Sequence, residues 1–436
     1  MPATPRLGRP SPRGDRRLEV MSRARRIRTA SALVAVVALA IGAAGAGQAP
    51  SAARGDTGSA VASAPAGLRA ALPAPGRVDV GPSSGSTDAE ARRIVAGWDT
   101  ARRAAAVVMG SLPGTDPAAL SGYMSGGYGG FLLMGSNVPG DPAALRAETA
   151  ALVPDRALPP LIAVDEEGGD VTRLPWDGIP AADVLKTAGA GAVRSAFAAR
   201  GALVAQSGIS VNFGVVADVS SGPGSFIHDR SFGTDPAAAA DRVAAAVRGE
   251  HPFAVTALKH FPGHGAAEGD SHSSIPTADL SLDDWRRVAA PPFQAGIDAG
   301  APMVMMGHLS FPAVDRLPAS LSPRWHRILR EELGFTGVVV TDDLGMLPDS
   351  GDPDYADVVH DAVRALAAGC DLLLTVNGSD AATAGRIADG VVAAVASGEV
   401  PEDRLADAAA RVVALRLQIA AAAPGWRPCP ECAPAT

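Results

Sequence analysis

The sequence predicts a (β/α)8 barrel of the TIM type that forms a single catalytic domain. Eight short apolar runs recur along the chain, at residues 106–111, 130–135, 161–165, 209–217, 254–259, 302–307, 337–341 and 371–376. Ala- and Arg-rich stretches of helical character separate most of them, at residues 182–206, 236–250, 282–299, 323–333 and 355–368. Strands that alternate with helices are typical of a parallel sheet, and a span of roughly 340 residues suits a barrel with long loops.

A doubly wound open sheet would also fit this alternation. That fold usually carries a Gly-x-Gly-x-x-Gly motif directly after its first strand, and none follows residues 106–111. In addition, polar or glycine-containing clusters follow several apolar runs, at residues 165–169, 259–265, 307–308 and 341–343. Barrel enzymes place their catalytic groups at the carboxyl ends of the strands. Charged groups at so many strand ends are costly unless they converge on one hydrated site, which favours the barrel.

The first 53 residues are interpreted as a secretory signal peptide. Arg23, Arg25, Arg26 and Arg28 precede an apolar run from about residue 30 to residue 46, and small residues follow it. This order is typical of export signals. Residues 1–20 add nothing to the signal, so Met21 is a candidate for the true start. A membrane anchor is the alternative, although a short run rich in Ala and Gly disfavours a stable span.

The regions that flank the domain differ from it in composition. Residues 54–88 are rich in Ala, Gly, Pro and Ser without periodicity, which indicates a flexible linker. The barrel domain is expected over residues 89–425, and residues 426–436 form a Pro- and Cys-containing tail. We expect a secreted protein without a stable membrane span in its mature form.

Charge and cysteine content restrict the partners and the sites. Residues 1–53 hold nine arginines and two acids, a net of +7, and the whole chain is −8, so the remainder is −15. Such a charge argues against nucleic acid or anionic lipid as a partner. Cys370 lies in an apolar run and is expected to be a buried free thiol. Cys429 and Cys432 form a lone C-x-x-C, for which a disulfide and two free thiols both remain open.

Asp342 is the first candidate for chemistry. It follows the apolar run 337–341, and an acid at the mouth of a barrel strand can act as a nucleophile or stabilise charge. The alternative is an acid that begins a loop and caps the next turn. Asp343 follows directly, and neighbouring residues of an extended chain point in opposite directions. Only one of the two acids should therefore face the site.

The segment from Lys259 to His272 is the second candidate. Its first residues end the fifth apolar run, and a proline and three glycines then predict a long, pliable loop that contains Asp270 and His272. A carboxylate two residues from an imidazole can hydrogen-bond to it, fix its tautomer and raise its basicity. A loop that carries such a group can close over a substrate. Surface histidines in a turn are the alternative, although three of the chain's eight histidines lie here.

Two pairs of acid and arginine form further candidates. Asp165 and Arg173 flank a Glu-Glu-Gly-Gly run, and Asp229 and Arg230 follow the fourth apolar run. Such side chains at the rim of a pocket bind neutral polyols, because each can engage two hydroxyl groups. Surface ion pairs of small energetic weight are the alternative.

The combination of these motifs resembles glycoside hydrolase family 3. Lys-His-Phe-Pro-Gly-His-Gly at 259–265, Asp-Ser-His at 270–272 and Thr-Asp-Asp-Leu-Gly-Met at 341–346 carry the resemblance. They are most similar to the bacterial β-N-acetylhexosaminidase (NagZ-like) branch, and matching segments extend over most of residues 89–400.

The resemblance implies a (β/α)8 barrel and a retaining hydrolase that needs no cofactor and no metal. It places the nucleophile at Asp342, the general acid/base at His272 and the acid that pairs with it at Asp270. The implied sugar-binding residues are Asp165, Arg173, Arg230, Lys259 and His260. The implied substrate is a glycan with terminal β-linked N-acetylglucosamine, of the cell-wall or chitin type.

The chain departs from the family pattern in two places. Gly265-Ala266-Ala267 stands where the family usually has Gly-Asp-Thr, and His228 stands where it usually has glycine. The spacing up to residues 270–272 is kept, so these changes affect the expected sugar preference more than the chemistry.

Three alternative functions remain. The first is a β-glucosidase-type member of the same family with another sugar preference, and the second is a non-catalytic sugar-binding protein. The third is a metal-dependent barrel hydrolase, which could use as ligands His260, His264, His272, His308 and Asp342. An H-x-H motif at the end of the first strand would favour that reading, and none is present.

Overall fold

The computed structural model describes residues 85–422. The predicted signal peptide, residues 54–84 of the predicted linker and the tail with Cys429 and Cys432 lie outside this range. The first helix begins at Gly85, so residues 85–88, which were assigned to the linker, form its first turn.

Ten strands occur in the described residues. They are β1 (Val108–Gly110), β2 (Gly130–Leu133), β3 (Leu161–Val164), β4 (Val211–Val216), β5 (Val255–Phe261), β6 (Met303–Met306), β7 (Ser310–Phe311), β8 (Asp315–Pro318), β9 (Val338–Thr341) and β10 (Leu373–Leu374). Eight of them form one parallel sheet in the order β10-β1-β2-β3-β4-β5-β6-β9. A parallel bridge between Val340 and Leu372 brings β9 against β10 and joins the two edges.

This sheet confirms the predicted (β/α)8 barrel, and the alternative prediction of an open doubly wound sheet is wrong. Each of the eight apolar runs supplies one barrel strand, in the predicted order. The pair β7–β8 is an antiparallel addition after β6 that the apolar pattern did not indicate.

Helices precede, separate and follow the strands. They are α1 (Gly85–Ala96), α2 (Thr100–Ala106), α3 (Pro117–Met124), α4 (Pro142–Ala151), α5 (Ala182–Leu185), α6 (Ala190–Gln206), α7 (Pro236–Glu250), α8 (Leu282–Val288), α9 (Ala290–Asp298), α10 (Pro323–Arg327), α11 (Met346–Asp349), α12 (Val358–Ala368), α13 (Thr383–Ser397) and α14 (Glu402–Ala421). A π-helical turn over Ile328–Glu332 continues α10. No helix within residues 85–422 has both the length and the apolar character needed to cross a membrane.

Several helix starts follow directly from the local sequence. Asp116, Asp141 and Asp235 each precede a proline and accept hydrogen bonds from backbone amides in the first turn of α3, α4 and α7. An aspartate at the N-cap satisfies amides that have no helical partner, and a proline at the next position already has helical φ. The Asp-Pro pairs therefore fix where these three helices begin.

The core has an inner and an outer part because strand side chains alternate between the two faces of the sheet. Val338 and Val340 of β9 belong to the cluster inside the barrel, whereas Val339 packs in the outer cluster. Val412 and Leu415 of α14 contact the inner cluster, so this helix packs against the residues of the barrel interior.

Cys370 is a buried free thiol, as predicted. Its sulfur lies 3.2 Å from Nε2 of His326, next to the start of β10. Desolvation lowers the pKa of His326 to about 4. The neutral imidazole and the thiol therefore form part of the packed core outside the barrel sheet.

Candidate active site

Asp342 continues the inward-facing series of β9. Val338 and Val340 lie inside the barrel, and the next residue of the same parity at the strand end is Asp342. Its backbone amide donates to the carbonyl of Met306 at 2.8 Å, which fixes the residue against the neighbouring strand β6. The alternation of a single strand therefore places this carboxylate at the mouth of the barrel.

Asp343 turns away from the mouth and accepts backbone amides. Its oxygens accept hydrogen bonds from Gly345 at 3.0 Å, Val376 at 2.7 Å and Asn377 at 2.9 Å. Burial raises the pKa of Asp343 to about 6 despite these donors. The expectation that only one of the two acids faces the site is confirmed, and the second ties the loops after β9 and β10 together.

The charges around Asp342 favour its ionised form. Burial by itself raises the pKa of this carboxyl group, but its electrostatic interactions with His260, His308 and Lys259, together with the hydrogen bond from the Asp343 amide, outweigh that effect. The net result is a pKa below the ordinary value. Asp342 is partly buried, and a carboxylate that stays ionised there near neutral pH is suited to nucleophilic attack.

His308 supports the turn that carries Asp342. It is buried, its Nε2 lies 2.9 Å from the backbone carbonyl of Asp343, and its Nδ1 lies 2.8 Å from the hydroxyl of Ser320. A carbonyl can only accept, so Nε2 must carry a hydrogen in this arrangement. The sequence analysis named His308 only as a possible metal ligand, whereas the structure gives it a positioning contact.

A cluster of four charged side chains lies at the ends of β3 and β5. The Lys259 ammonium is 2.8 Å from Asp165 and 2.6 Å from Glu167, and it is only 2% exposed. Arg230 donates to both oxygens of Glu167, at 2.9 and 2.8 Å. The structure thus brings together three of the predicted sugar-binding residues, Asp165, Arg230 and Lys259.

Glu167 is the centre of this cluster, and the sequence analysis did not single it out. Burial raises the pKa of Glu167, but Lys259 and Arg230 outweigh that effect and hold it down to about 2. The available signal was its place in the acidic run after β3. Side chains alternate in direction only as far as the strand extends. The acidic run lies in the turn beyond β3, so its sequence could not show which acid faces inward.

His260 is fixed by a second acid that was not predicted, Asp218 at the end of β4. The carboxylate lies 2.8 Å from Nδ1 of His260 and also accepts the backbone amides of His260 and His264. On its other side, Nε2 of His260 is 3.4 Å from the guanidinium of Arg230, which can only donate. These contacts place the proton on Nδ1, facing Asp218. His260 therefore contacts the charged cluster through Arg230.

Arg173 and Asp229, the remaining members of the two acid and arginine pairs, differ in their contacts. The Arg173 guanidinium forms no hydrogen bond or ion pair with residues 85–422, and its Nε is buried without a partner. Its backbone is held because Glu166 accepts the amides of Arg173 and Leu174 at 2.9 and 2.8 Å. Asp229 is exposed and pairs with Lys186 at 3.2 Å. The pair Asp229–Arg230 is thus divided, and only the arginine joins the cluster.

Asp270 and His272 are paired on the loop after β5. Asp270 Oδ1 is 2.6 Å from Nδ1 of His272 and also accepts the backbone amide of His272 at 2.9 Å. The two side chains are 45% and 56% exposed. Partial burial raises the pKa of Asp270, but the hydrogen bonds from His272 outweigh it and the pKa lies below its ordinary value. The predicted hydrogen bond is present, and it leaves Nε2 of His272 as the outward-facing nitrogen.

The base of this loop is packed against the barrel. His264 and Gly265 are buried, and a Cβ built on Gly265 would lie 2.0 Å from the carbonyl oxygen of Val219. Glycine is therefore required there for close backbone approach. The His264 ring is also 3.0 Å from the hydroxyl of Ser271, which connects the base of the loop to its tip.

The histidines named as possible metal ligands have separate partners in the structure. His260 faces Asp218, His264 faces Ser271, and His308 faces Asp343. Within residues 85–422, no group of three or more His, Cys, Asp or Glu side chains is arranged to hold a metal ion.

Comparisons with known proteins agree with this architecture. Residues 126–415 match the family model described as the glycosyl hydrolase family 3 N terminal domain. A beta-hexosaminidase of Bordetella avium is 37% identical over 273 residues, covering 58% of this chain and 75% of that protein. A beta-hexosaminidase of Stenotrophomonas maltophilia is 41% identical over 228 residues, covering 50% and 67%.

Solved structures show the same relationship. A glycoside hydrolase family 3 beta-N-acetylglucosaminidase from Paenibacillus sp. matches with a TM-score of 0.69 and 32% identity, covering 75% of this chain and 64% of that chain. A beta-N-acetylhexosaminidase from Beutenbergia cavernae matches with a TM-score of 0.64 and 29% identity, covering 74% and 99%. The family match spans more than half of the residues and covers seven of the eight barrel strands, β2 to β6, β9 and β10. The chain therefore belongs to glycosyl hydrolase family 3.

Proposed function

We propose that this glycoside hydrolase releases terminal β-linked N-acetylglucosamine from glycans and works with retention through a glycosyl-enzyme on Asp342. The observation that carries the proposal is the partly buried, ionised carboxylate at the mouth of β9, beside His260, His308 and Lys259. The names of the related proteins, beta-hexosaminidase and beta-N-acetylglucosaminidase, support the choice of sugar.

The charged cluster would hold the sugar next to Asp342. Lys259 pairs with Asp165 and Glu167, and Arg230 pairs with Glu167, so the remaining hydrogen-bonding capacity of these side chains is directed without further ordering. His260 borders the same cluster, and the Arg173 guanidinium has no hydrogen-bond or ion-pair partner within residues 85–422. A substrate with several hydroxyl groups can satisfy these donors and acceptors.

In the first step of the proposed mechanism, Asp342 attacks the anomeric carbon while the bond to the leaving oxygen breaks. His272 donates the proton of Nε2 to that oxygen, and Asp270 holds the imidazole through Nδ1. The Asp270 carboxylate also stabilises the protonated ring before transfer. The products are a covalent glycosyl-enzyme and the free leaving group.

In the second step, His272 accepts a proton from a water molecule, which attacks the anomeric carbon and releases Asp342. The same imidazole thus serves as acid and then as base, and two inversions give net retention. Retaining enzymes normally use two carboxyl groups for these roles. A histidine can replace one of them because its ordinary pKa near 6.5 suits both proton transfers at neutral pH.

Two variants test the assignment on N-acetylglucosaminides. Asp342→Asn should lose activity by on the order of 10⁴-fold or more. His272→Ala should lose about 10²- to 10⁴-fold on a disaccharide, and far less on an aryl glycoside whose leaving group needs little protonation. His360→Ala changes another exposed histidine and serves as the matched control. Near-native activity of the Asp342 variant would contradict the proposal.

The sugar preference requires its own measurement because Ala266 and Ala267 depart from the family pattern. We expect a higher kcat/KM for an aryl β-N-acetylglucosaminide than for the matching aryl β-glucoside. The opposite order would favour the β-glucosidase alternative. Sugar binding without turnover of any glycoside in such a panel would favour a non-catalytic binding protein.

We also propose that the chain is exported and acts on cell-wall or chitin-type glycans. The support comes from the sequence, in which Arg23 to Arg28 precede the apolar run from about residue 30 to residue 46. Fusion of residues 1–53 to a reporter enzyme should deliver that reporter to the culture medium. Replacement of two residues of the apolar run by arginine should retain it in the cells, and export that survives this change would contradict the interpretation.

A further inference from the structure

An exposed phenyl ring lies beside the proposed acid/base. Phe226 is on the loop between β4 and α7, and 40% of its surface is exposed. The other large hydrophobic side chains left exposed within residues 85–422 are both valines, Val184 and Val288. An aromatic ring carries a large apolar surface, so its exposure at a candidate site points to a partner that covers it.

Phe226 contacts both parts of the site. Its ring centre is 6.0 Å from the ring of His272, at an interplanar angle of 64°, and 5.4 Å from the ring of His264. On the other side, the guanidinium carbon of Arg230 is 5.9 Å from the same ring centre. The ring therefore lies between the arginine of the charged cluster and the imidazole on the loop.

This position has a consequence for the bound glycan. A general acid must approach the oxygen that joins the released sugar to its leaving group. In the proposed mechanism, the charged cluster around Arg230 binds the terminal sugar. His272 contacts the oxygen of the bond that joins this sugar to the leaving group. A ring that contacts both residues thus lies along this bond, and its exposed surface is available to the leaving group.

We propose that Phe226 forms the contact surface for the leaving-group sugar, so that the enzyme favours substrates whose leaving group is a pyranose. The inference rests on the proposed function, because it requires His272 to act as the general acid. The C–H groups on one face of a pyranose ring are apolar and can pack on the phenyl ring, while its hydroxyl groups remain in water. Such a contact needs no charge on the leaving group.

The experiment compares two substrates that differ in the size of the leaving group. One is N,N′-diacetylchitobiose, whose leaving group is a pyranose, and the other is methyl β-N-acetylglucosaminide, whose leaving group is methanol. Both leaving groups are alcohols that need a proton from His272. Phe226→Ala should lower kcat/KM on the disaccharide by about tenfold and change it little on the methyl glycoside.

Two further variants complete the test. Phe226→Tyr keeps an aromatic ring and should retain the wild-type ratio between the two substrates. Val288→Ala truncates another exposed hydrophobic side chain and should leave both rates unchanged. Thermal unfolding of each variant shows whether the fold is kept.

The outcomes separate this inference from the proposed function. An equal loss on both substrates would overturn it, because Phe226 would then act only by holding His272. Unchanged rates on both substrates would overturn it as well. If the wild-type enzyme hydrolyses neither substrate, the proposed function itself is contradicted. Hydrolysis of both by the wild type, without a selective loss in Phe226→Ala, contradicts the Phe226 assignment alone.

Discussion

The replacement of Glu167 by glutamine tests whether the charged cluster is a preorganised sugar site. Glu167 is buried and pairs with Lys259 at 2.6 Å and with Arg230 at 2.9 and 2.8 Å. Glutamine has nearly the same shape but no charge. In the variant, Lys259 keeps only Asp165 as an acidic partner, and the carboxylate that paired with Arg230 is lost.

The expected loss of stability follows from the pKa of this group. The two cations hold the pKa of Glu167 at about 2, whereas its ordinary value is 4.5. This difference corresponds to about 3 kcal/mol in the free energy of unfolding at neutral pH. Measured losses of roughly 3–5 kcal/mol for one partner of a buried ion pair give the same scale.

The effect should depend on pH in a defined direction. Because the native pKa is depressed, the stabilisation from Glu167 is fully present above the ordinary value near 4.5. It is lost as the pH falls from there towards about 2. The difference in stability between wild type and Glu167→Gln should therefore be constant at pH 6–8 and begin to shrink below about pH 4.5.

Urea denaturation across this pH range measures the difference in stability between wild type and Glu167→Gln. Hydrolysis of an aryl glycoside measures the activity of the site. We expect a lower kcat/KM, because Lys259 and Arg230 lose their shared anchor. Glu90→Gln removes an exposed pair with Arg93 and should change neither stability nor activity measurably. A Glu167→Gln protein that is as stable and active as wild type at pH 7 would refute the argument.

Two further predictions concern residues outside the charged cluster. Glu148 is buried, and its carboxyl oxygens have no hydrogen-bond partner within residues 85–422. Burial raises its pKa to about 7, so the native state is destabilised as the pH rises from about 4.5 through 7. Glu148→Gln should therefore raise the free energy of unfolding at pH 8 by up to about 3 kcal/mol and leave it unchanged at pH 4. Urea titrations at the two pH values measure this free energy, and an equal effect at both would contradict the prediction. Gly265→Ala should reduce kcat/KM, since the added Cβ displaces the packed base of the His272 loop away from Val219. Gly191→Ala serves as the control, because this helical glycine has free space around it, and it should stabilise the fold by about 0.5–1 kcal/mol. Unaltered activity of the Gly265 variant would contradict the prediction and show that the loop absorbs the change.

The sequence predicted the barrel because its strands are buried on both faces and so appear as continuous apolar runs. The same regularity placed Asp342, since one step beyond β9 the alternation still holds. The pair β7–β8 was missed for the opposite reason. β7 has only two residues, and Asp315 and Arg316 of β8 are polar and only partly buried or exposed.

Glu167 and Asp218 were missed for a different physical reason. Both lie just beyond a strand, where the chain bends and the direction of a side chain no longer follows from its position in the sequence. Their roles arise from contacts with residues far along the chain, such as Lys259 and His260, which only the closed barrel brings near. Motif comparison indicated the proposed sugar-binding residues, but not the acids that hold them in place.

The site combines a fixed floor with an exposed acid/base, and the proposed chemistry needs both. Asp342 must be ionised and oriented before the substrate arrives, and its backbone contact with Met306 together with the neighbouring Lys259, His260 and His308 achieves this without reorganisation. His272 must instead meet a leaving group in one step and a water molecule in the next, so a fully buried imidazole could not serve. Its exposure of 56%, with Nδ1 bound to Asp270, leaves Nε2 accessible to both. The loop thus supplies access, while the hydrogen bond to Asp270 keeps the ring in the orientation that proton transfer requires.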